Sequence, residues 1–474
     1  MSFDPVPFNI FGSTGGGKST QFSSEIARNI YYAYSESADR VGAFDFPGLT
    51  LFADGSSLGV NRGGYVFGGV LYKINGTTLY SVSSGGVFTT VGTVGAGTDR
   101  ATWCDDGEHL LFVVSGTVYK YDGATLSTVT VQAVISNPSS ITYIDGRFIV
   151  TGDDGLFGNS EARDPDTWSA LDYNEEGSKS DPLVRAYLFN QLIYMMGSSS
   201  IVPWYYSGSG NPPFDRQNTA LVNVGLAGVD AVTNSKAEMF WLGDDRKFYH
   251  AVGASFEPIS SPYIAKIVKD FETVSDCALS FFTTEGQDFL LAAFPTENKT
   301  YLYSVTLKYW VVLASGTSDP GDAWYGVSVI NCYGKELVFD YRHGSIYELD
   351  SDAYTDDGDA RLRVRVFPVF TGKMLRAPGK RIIVGRITFN MQRGVGLESG
   401  QGSDPVIMCQ MSNDGGHTWG DETFVSIGQI GEYISLVDYY DFSTGYEIRV
   451  KVKCSDPVYF AMFDGIAYAK VAGY

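Results

Sequence analysis

From Phe44 onward the chain alternates short apolar runs with turns rich in Gly, Asp, Asn and Ser. No long stretch keeps a helical period, and runs of roughly four to eight residues between turn residues predict strands. In the middle of the chain only residues 264–274 suggest a helical turn or two, and residues 275–282 end in a strand-like run. An apolar-aromatic step recurs behind a tight turn, at Leu79-Tyr80, Val118-Tyr119, Leu156-Phe157, Trp204-Tyr205, Phe248-Tyr249, Leu302-Tyr303 and Ile346-Tyr347. Its spacing is uneven but centres on roughly 40 to 50 residues, the length of a four-stranded propeller blade. Asn75-Gly76, Asp122-Gly123, Asp145-Gly146 and Asp154-Gly155 are hairpin signals, because glycine accepts the positive φ such turns need. The pattern predicts an all-β chain built on a β-propeller of six or seven blades. Closure would borrow a strand around residues 46–52, and residues 207–214 read as a loop projecting from the disc. The competing reading is a set of meandering sheets whose aromatic spacing is chance.

Both ends differ in texture. Residues 1–43 are glycine-rich and then polar, with one possible helix near residues 23–34, and read as a flexible N-terminal arm. After about residue 360 come six strand candidates with long connections: 361–370, 381–391, 406–411, 433–437, 446–452 and 458–463. In Arg361-Leu362-Arg363-Val364-Arg365-Val366 strict alternation puts arginines on one face and apolar residues on the other. The expected organisation is therefore an arm (1–43), a propeller (44–350) and a C-terminal β-sandwich domain (351–474), with the acidic stretch 350–359 at the junction.

Composition narrows the function. The 55 glycines, 31 tyrosines and 30 phenylalanines suit turns and half-buried pleated surfaces. No window of ~18 apolar residues predicts a membrane span, and the start lacks the basic and apolar regions of a secretory signal. Cys104, Cys277, Cys332, Cys409 and Cys454 are odd in number and far apart. They fit reduced core thiols made in a cytoplasm, and no Cys-x-x-Cys metal spacing occurs. With 34 Lys and Arg against 54 Asp and Glu, the net charge is −20. Gripping DNA by counterion release needs the opposite balance; repelling it does not.

Residues 12–19, Gly-Ser-Thr-Gly-Gly-Gly-Lys-Ser, match the phosphate-loop pattern. That chemistry needs a buried strand before the loop and a helix after it, within parallel αβ repeats. Here Asp4-Pro5-Val6-Pro7 breaks most of the preceding residues, and a glycine-rich arm is the simpler reading. Residues 412–419 match the Asp-box, with Ser412, Asp414, Gly416 and Trp419 at its fixed positions. The aspartate holds turn amides, the glycine takes positive φ and the tryptophan packs beneath. Sialidases repeat the motif, so a carbohydrate-acting or carbohydrate-binding propeller is the alternative; here it occurs once, outside the propeller. His109, His250, His343 and His417 share no metal-ligand spacing. The acidic run could hold calcium but lacks the order of an EF-hand loop. No catalytic residue, metal or cofactor is expected. Trp204-Tyr205-Tyr206 reads either as blade core or as interface anchors.

Several short segments carry a resemblance in shared order. They are Phe46-Pro47-Gly48-Leu49-Thr50-Leu51-Phe52, Arg62-Gly63, residues 69–80, and Asp164-Pro165-Asp166-Thr167-Trp168 with Leu171-Asp172-Tyr173. Then come Gly197-Ser198-Ser199-Ser200-Ile201, Phe240-Trp241-Leu242-Gly243 and Phe294-Pro295. Residues 412–419, Gly431-Glu432-Tyr433 and Ser455-Asp456-Pro457-Val458 close the series. From about Asn29 to the C-terminus the chain resembles the packaged-DNA stabilisation proteins of short-tailed phages, which form the tail nozzle. The glycine-rich segment 12–18 and the acidic linker depart from that family's pattern.

The resemblance implies a non-enzymatic virion protein of the phage tail, assembled in the host cytoplasm. It implies a hexameric ring below the head-to-tail adaptor, with tail spikes or fibres and a needle or plug as neighbours. Packaged double-stranded DNA would be retained by the ring and later pass through it without sequence-specific binding. DNA carries about one charge per 1.7 Å, so a lumen with excess carboxylates would keep the duplex centred. Asp350, Asp352, Asp356, Asp357, Asp359, Glu175 and Glu176 are the candidate channel-facing acids. A host-cell propeller scaffold, monomeric and unrelated to phage, is the third reading.

Overall fold

Hairpin turns set the blades. Asp145 and Gly146 both take positive φ, 47° and 82°, in the two-residue turn whose twist suits paired strands. Pro138–Ile144 thereby folds back onto Arg147–Gly152. Asn190 and Gln191 turn the same way at 49° and 61° without any glycine, between Leu183–Phe189 and Leu192–Gly197.

The computed structural model describes residues 3–15, 25–35, 40–152, 154–176, 182–217, 222–253, 255–434 and 436–473. Within it such hairpins form seven four-stranded blades, spanning residues 61–93, 102–129, 138–175, 183–216, 232–258, 278–313 and 326–350. The seventh blade is completed from the other end of the propeller. Gly48–Ala53 pairs antiparallel with Ile346–Asp350, Leu49 opposite Leu349 and Leu51 opposite Tyr347. First strands of neighbouring blades touch, so they line the axis.

Apolar clusters sit between adjacent blades. Ile74 and Leu79 of the first blade meet Leu110, Phe112 and Val114 of the second. From the other face of that same strand, Leu111 and Val113 meet Ile141, Phe148 and Val150 of the third. Burial on both faces explains why Leu110–Val114 is apolar at every position, each side chain contributing ~1.5–3 kcal/mol. The one α-helix among the described residues, Pro262–Asp270, starts slightly earlier than the pattern suggested. Ser261 caps it by accepting from Ile264 N at 3.2 Å, with proline in the first turn.

The chain ends meet in the sandwich. One sheet runs Ile30–Ser35, Arg40–Asp45, Ala461–Val471, Ile382–Met391 and Val437–Gly445, with Asp4–Phe8 also paired to Ala461–Val471. The other extends the sixth blade. Its outer strand Tyr309–Leu313 is joined through Ile26–Arg28 to Arg363–Val366, Glu447–Cys454, Val406–Ser412 and Thr423–Ser426. Propeller and sandwich thus share a continuous ten-stranded sheet.

Three expectations are corrected here. The described part of residues 1–43 is not a flexible arm: Phe8 lies in the sandwich core, edge-on to Phe367 and Phe370 at 5.1 and 5.2 Å. The helix near residues 23–34 is instead Ile26–Arg28 and Ile30–Ser35, both strands, because Tyr31 and Tyr32 fill β pairings; residues 23 and 24 lie outside the described residues. The strand expected at 433–437 begins only at Val437, and the Val437–Gly445 strand it belongs to was not foreseen.

The alternating arginines turn inward. Arg361, Arg363 and Arg365 are each 1% exposed. Arg363 grips Asp45 with Nε at 2.9 Å and Nη2 at 2.6 Å, while Arg361 reaches Asp45 at 3.0 Å and Asp356 at 3.4 Å. Arg365 pairs with Glu25 at 2.7 Å and donates to Ile10 O at 2.8 Å. The opposite face, Leu362, Val364 and Val366, is covered by Ile26, Met408 and Trp419. A buried guanidinium is costly unless a carboxylate pairs with it, and each of these has one; of the three, only Arg361 leaves a buried nitrogen, Nε, without a partner.

Candidate functional site

The propeller axis holds two cavities, one on each side of an ionic bridge. The larger, about 680 Å³, is lined by Asn61, Asp99, Ser115, Asn137, Ser139 and Asp276 among others. The smaller, about 250 Å³, is bounded by Tyr65, Trp103, Tyr187 and Phe281. Arg100 and Asp230 border both. Arg100 precedes the second blade, Asp230 precedes the fifth, and their side chains pair directly across the axis. Arg185 of the fourth blade reaches Asp230 at 3.4 Å and Val229 O at 2.7 Å, and Arg100 donates to Ser328 Oγ of the seventh at 3.3 Å. Four blades are therefore tied at the centre. Duplex DNA, whose major groove alone is ~12 Å wide, does not pass a bore bridged this way.

Arg62 is wholly buried beside the larger cavity. It donates to Asp99 Oδ1 and Ser115 Oγ, both at 2.7 Å, and to Asp99 O at 2.8 Å, stapling the first blade to the second. Neither Arg62's role nor the bridge was foreseen; the signal available was a lone charged residue at or just before an innermost strand. Lys73, also fully buried, is held by Asn61 Oδ1 and lies 4.5 Å over the Phe339 ring. Burial pushes its pKa well below the ordinary lysine value, and Arg100 adds to the effect.

The candidate channel-facing acids do not come together. Glu175 ends the outer strand of the third blade, and residues 350–359 follow the outer part of the seventh. Asp352, Asp357, Asp359 and Glu175 are exposed, and Asp350 is half-buried. Two are corrected. Asp356 is fully buried, accepting from Ser315 Oγ at 2.7 Å beside Arg361. Glu176 is buried, accepting from Trp204 Nε1 and pairing with Arg216 at 3.3 Å. Both carboxylates are turned inward, Asp356 onto buried Arg361 and Glu176 onto half-buried Arg216. Trp204 is blade core, edge-on to Phe157 at 5.0 Å, whereas Tyr205 and Tyr206 are exposed.

The two sequence motifs are occupied by their own surroundings. Asp414 accepts from Ser412 Oγ at 2.6 Å, Thr418 Oγ1 at 2.6 Å, and His417 N and Thr418 N at 2.9 Å each. Ser412 Oγ in turn accepts from Gly416 N at 2.8 Å, and Gly416 has φ 103°. Trp419 lies under Lys451, whose Nζ is 4.4 Å from the ring centroid. Those donors, Ser412 first, hold the Asp414 carboxyl below the usual carboxylate range. In the phosphate-loop pattern, Thr14 N donates to Trp310 O at 2.7 Å and Gly15 N to Glu25 O at 2.9 Å. These amides are engaged by protein carbonyls, and residues 16–19 lie outside the described residues. No group of three or more metal-ligating side chains occurs among the described residues, and none of their helices is long and apolar enough to cross a membrane.

The sandwich ends in an apolar rim. Val437–Gly445 is the last strand of one sheet and Thr423–Ser426 the last of the other. Around this edge Phe424, Tyr433, Ile434, Leu436, Tyr440 and Phe442 are each at least 60% exposed.

A family model described as the β-propeller of bacteriophage P22 Gp10 matches residues 6–354, and one described as the β-sandwich of bacteriophage P22 Gp10 matches residues 368–457. No curated protein matches the chain. Among solved structures, the WD40 β-propeller domain of Doa1 is 14% identical with a TM-score of 0.40, over 64% of this chain and 97% of that one. The N-terminal domain of Nup159 is 12% identical with a TM-score of 0.40, over 69% and 99%. The computationally designed Ika8 protein is 8% identical with a TM-score of 0.38, over 72% and 99%.

Proposed function

The chain belongs to the bacteriophage P22 Gp10 family of phage structural proteins, and from that premise we propose that it is a tail nozzle subunit. Six copies form a ring below the head-to-tail adaptor, retain packaged double-stranded DNA and enclose part of the ejection channel. Tail spikes or fibres and a needle or plug are its neighbours. The observation that carries this reading is the closed propeller axis. With Arg100 and Asp230 bridging the bore, a passage wide enough for a duplex has to be enclosed by several copies standing side by side.

Charge supports the same reading. A net charge of −20 suits a wall that DNA slides past, with repulsion reaching ~8 Å at physiological salt. The exposed acids Asp352, Asp357, Asp359 and Glu175 are the candidates to face the lumen. Nothing favours the carbohydrate-acting alternative, since the Asp-box side chains are consumed within their own turn.

Electron micrographs of the purified protein test the ring. Six-fold particles with an open centre are expected, and a protein that stays monomeric at every concentration overturns the assignment. Reversing Asp352, Asp357, Asp359 and Glu175 to lysine in the parent phage tests the lining: genome release slows or stalls, and unchanged ejection kinetics would remove these acids from the channel.

A further inference from the structure

The apolar rim has a counterpart at the opposite end of the same sheet. There a groove of about 420 Å³ is lined by Ala33, Tyr34, Arg40, Gly42, Phe44 and Phe463. Its floor is open because residue 42 is glycine; a Cβ there would stand 2.7 Å from the Phe44 ring. Arg40 lies along its wall, 4.9 Å over the Phe463 ring. The groove strands, Ile30–Ser35 and Arg40–Asp45, begin the sheet that Val437–Gly445 ends. Five strands at ~4.8 Å separate the two features by roughly 19 Å, so one chain cannot bring them together.

From these observations we propose that the rim of one copy docks into the groove of the next. The proposal deepens the ring reading and rests on it. The six most exposed rim side chains, 60% exposed or more, present roughly 700 Å² of apolar surface, against ~300–600 Å² for the largest patch of a typical monomer. That is close to the ~800 Å² each partner contributes to a stable interface. The chemistry of the two ends is complementary. Aromatic knobs at Tyr440 and Phe442 face a cleft with aromatic walls, and the exposed acid Glu432 accompanies the rim while Arg40 stands in the cleft. Because the two surfaces differ and lie at opposite ends, the contact is head-to-tail. Such a contact repeats from copy to copy rather than stopping at a dimer, and gives a ring where the rotation closes and a filament where it does not. Ring closure by the sandwich domains leaves the bridged propellers free to stand around the lumen.

Two measurements on the full chain test this. Tyr440→Ser combined with Phe442→Ser removes two solvent-exposed rings. It should leave circular dichroism and the thermal midpoint unchanged and weaken association at least tenfold by sedimentation velocity. In the second, Phe442→Cys and Tyr34→Cys chains are prepared separately and oxidised alone and mixed. The mixture should give a disulfide-linked pair that neither chain gives by itself. Wild type that forms rings while the double variant forms them equally well overturns the rim and leaves the ring standing. Linked Phe442→Cys homodimers without mixed pairs overturn the head-to-tail geometry, and a monomeric wild type overturns both readings.

Discussion

The second blade and the seam beneath the sandwich are both closed to solvent, yet opposite means hold them. The blade is sealed by aliphatic and aromatic side chains that come from its immediate neighbours in sequence. The seam is sealed by charge. Arg361, Arg363 and Arg365 meet Asp45, Asp356 and Glu25, so the partners of Arg361 and Arg363 at Asp45 lie more than 300 positions away. Blade contacts are tolerant, because any well-fitting apolar side chain serves and each loss is local. Seam contacts are specific, because a buried guanidinium accepts few substitutes for its carboxylate. The repeats thus supply mass and stiffness, while the seam fixes how the sandwich sits on them.

Three changes break or sharpen that contrast, taken from the largest expected effect. Asp45→Ala leaves two buried guanidinium groups short of their shared carboxylate and should cost about 3–5 kcal/mol in urea unfolding. A loss below about 1 kcal/mol would mean the seam is held by packing, as the blades are. Lys73→Met tests the exception, a charge placed in a blade core without a carboxylate partner. Methionine keeps the volume, Asn61 Oδ1 still accepts from Gly63 N at 3.1 Å, and a gain on the order of 1–2 kcal/mol at pH 7 is expected. The sign with pH is fixed by linkage. The native lysine releases its proton below the ordinary lysine value of about 10.4, so within that window the unfolded chain holds more protons and wild-type stability climbs with pH. The gap between variant and wild type should therefore close as pH approaches the ordinary value; a constant gap contradicts the assignment. The smallest effect is at Asp414, in a surface turn. Its native pKa is depressed, so its contribution is present above the ordinary carboxylate value and lost as pH falls through the native one. Asp414→Asn should lower stability slightly at neutral pH and flatten that part of the acid titration, read as thermal midpoint against pH.

The same contrast explains what the chain made legible. Blades are local objects: apolar runs, tight turns and the recurring aromatic step lie within one repeat, and they foretold the propeller and the source of its closing strand. The seam is not local. Alternation in Arg361–Val366 revealed a strand, but period two does not say which face is inside; of the partners, Glu25 sat in a segment read as an arm and Asp45 at the start of the expected propeller. Asp356 shows the same limit. Within an acidic run it looks solvated, yet one position from exposed Asp357 it turns inward to Arg361. Val437–Gly445 escaped notice because its outer face alternates Asp438, Tyr440 and Phe442, a pattern without a clear buried side. The bridge of Arg100 and Asp230 spans 130 positions, and a lone charge before an innermost strand does not name its partner.

Closure of the seventh blade by Gly48–Ala53 sets a clock on biosynthesis. The partner strand leaves the ribosome roughly 300 residues later, on the order of 15 to 60 s at typical translation speeds, and the last sandwich strand later still. Until then an unfinished polypeptide has a gap in its disc and no sandwich to offer a neighbour. In the ring proposed above, a truncated product would therefore lack the sandwich edge through which copies meet.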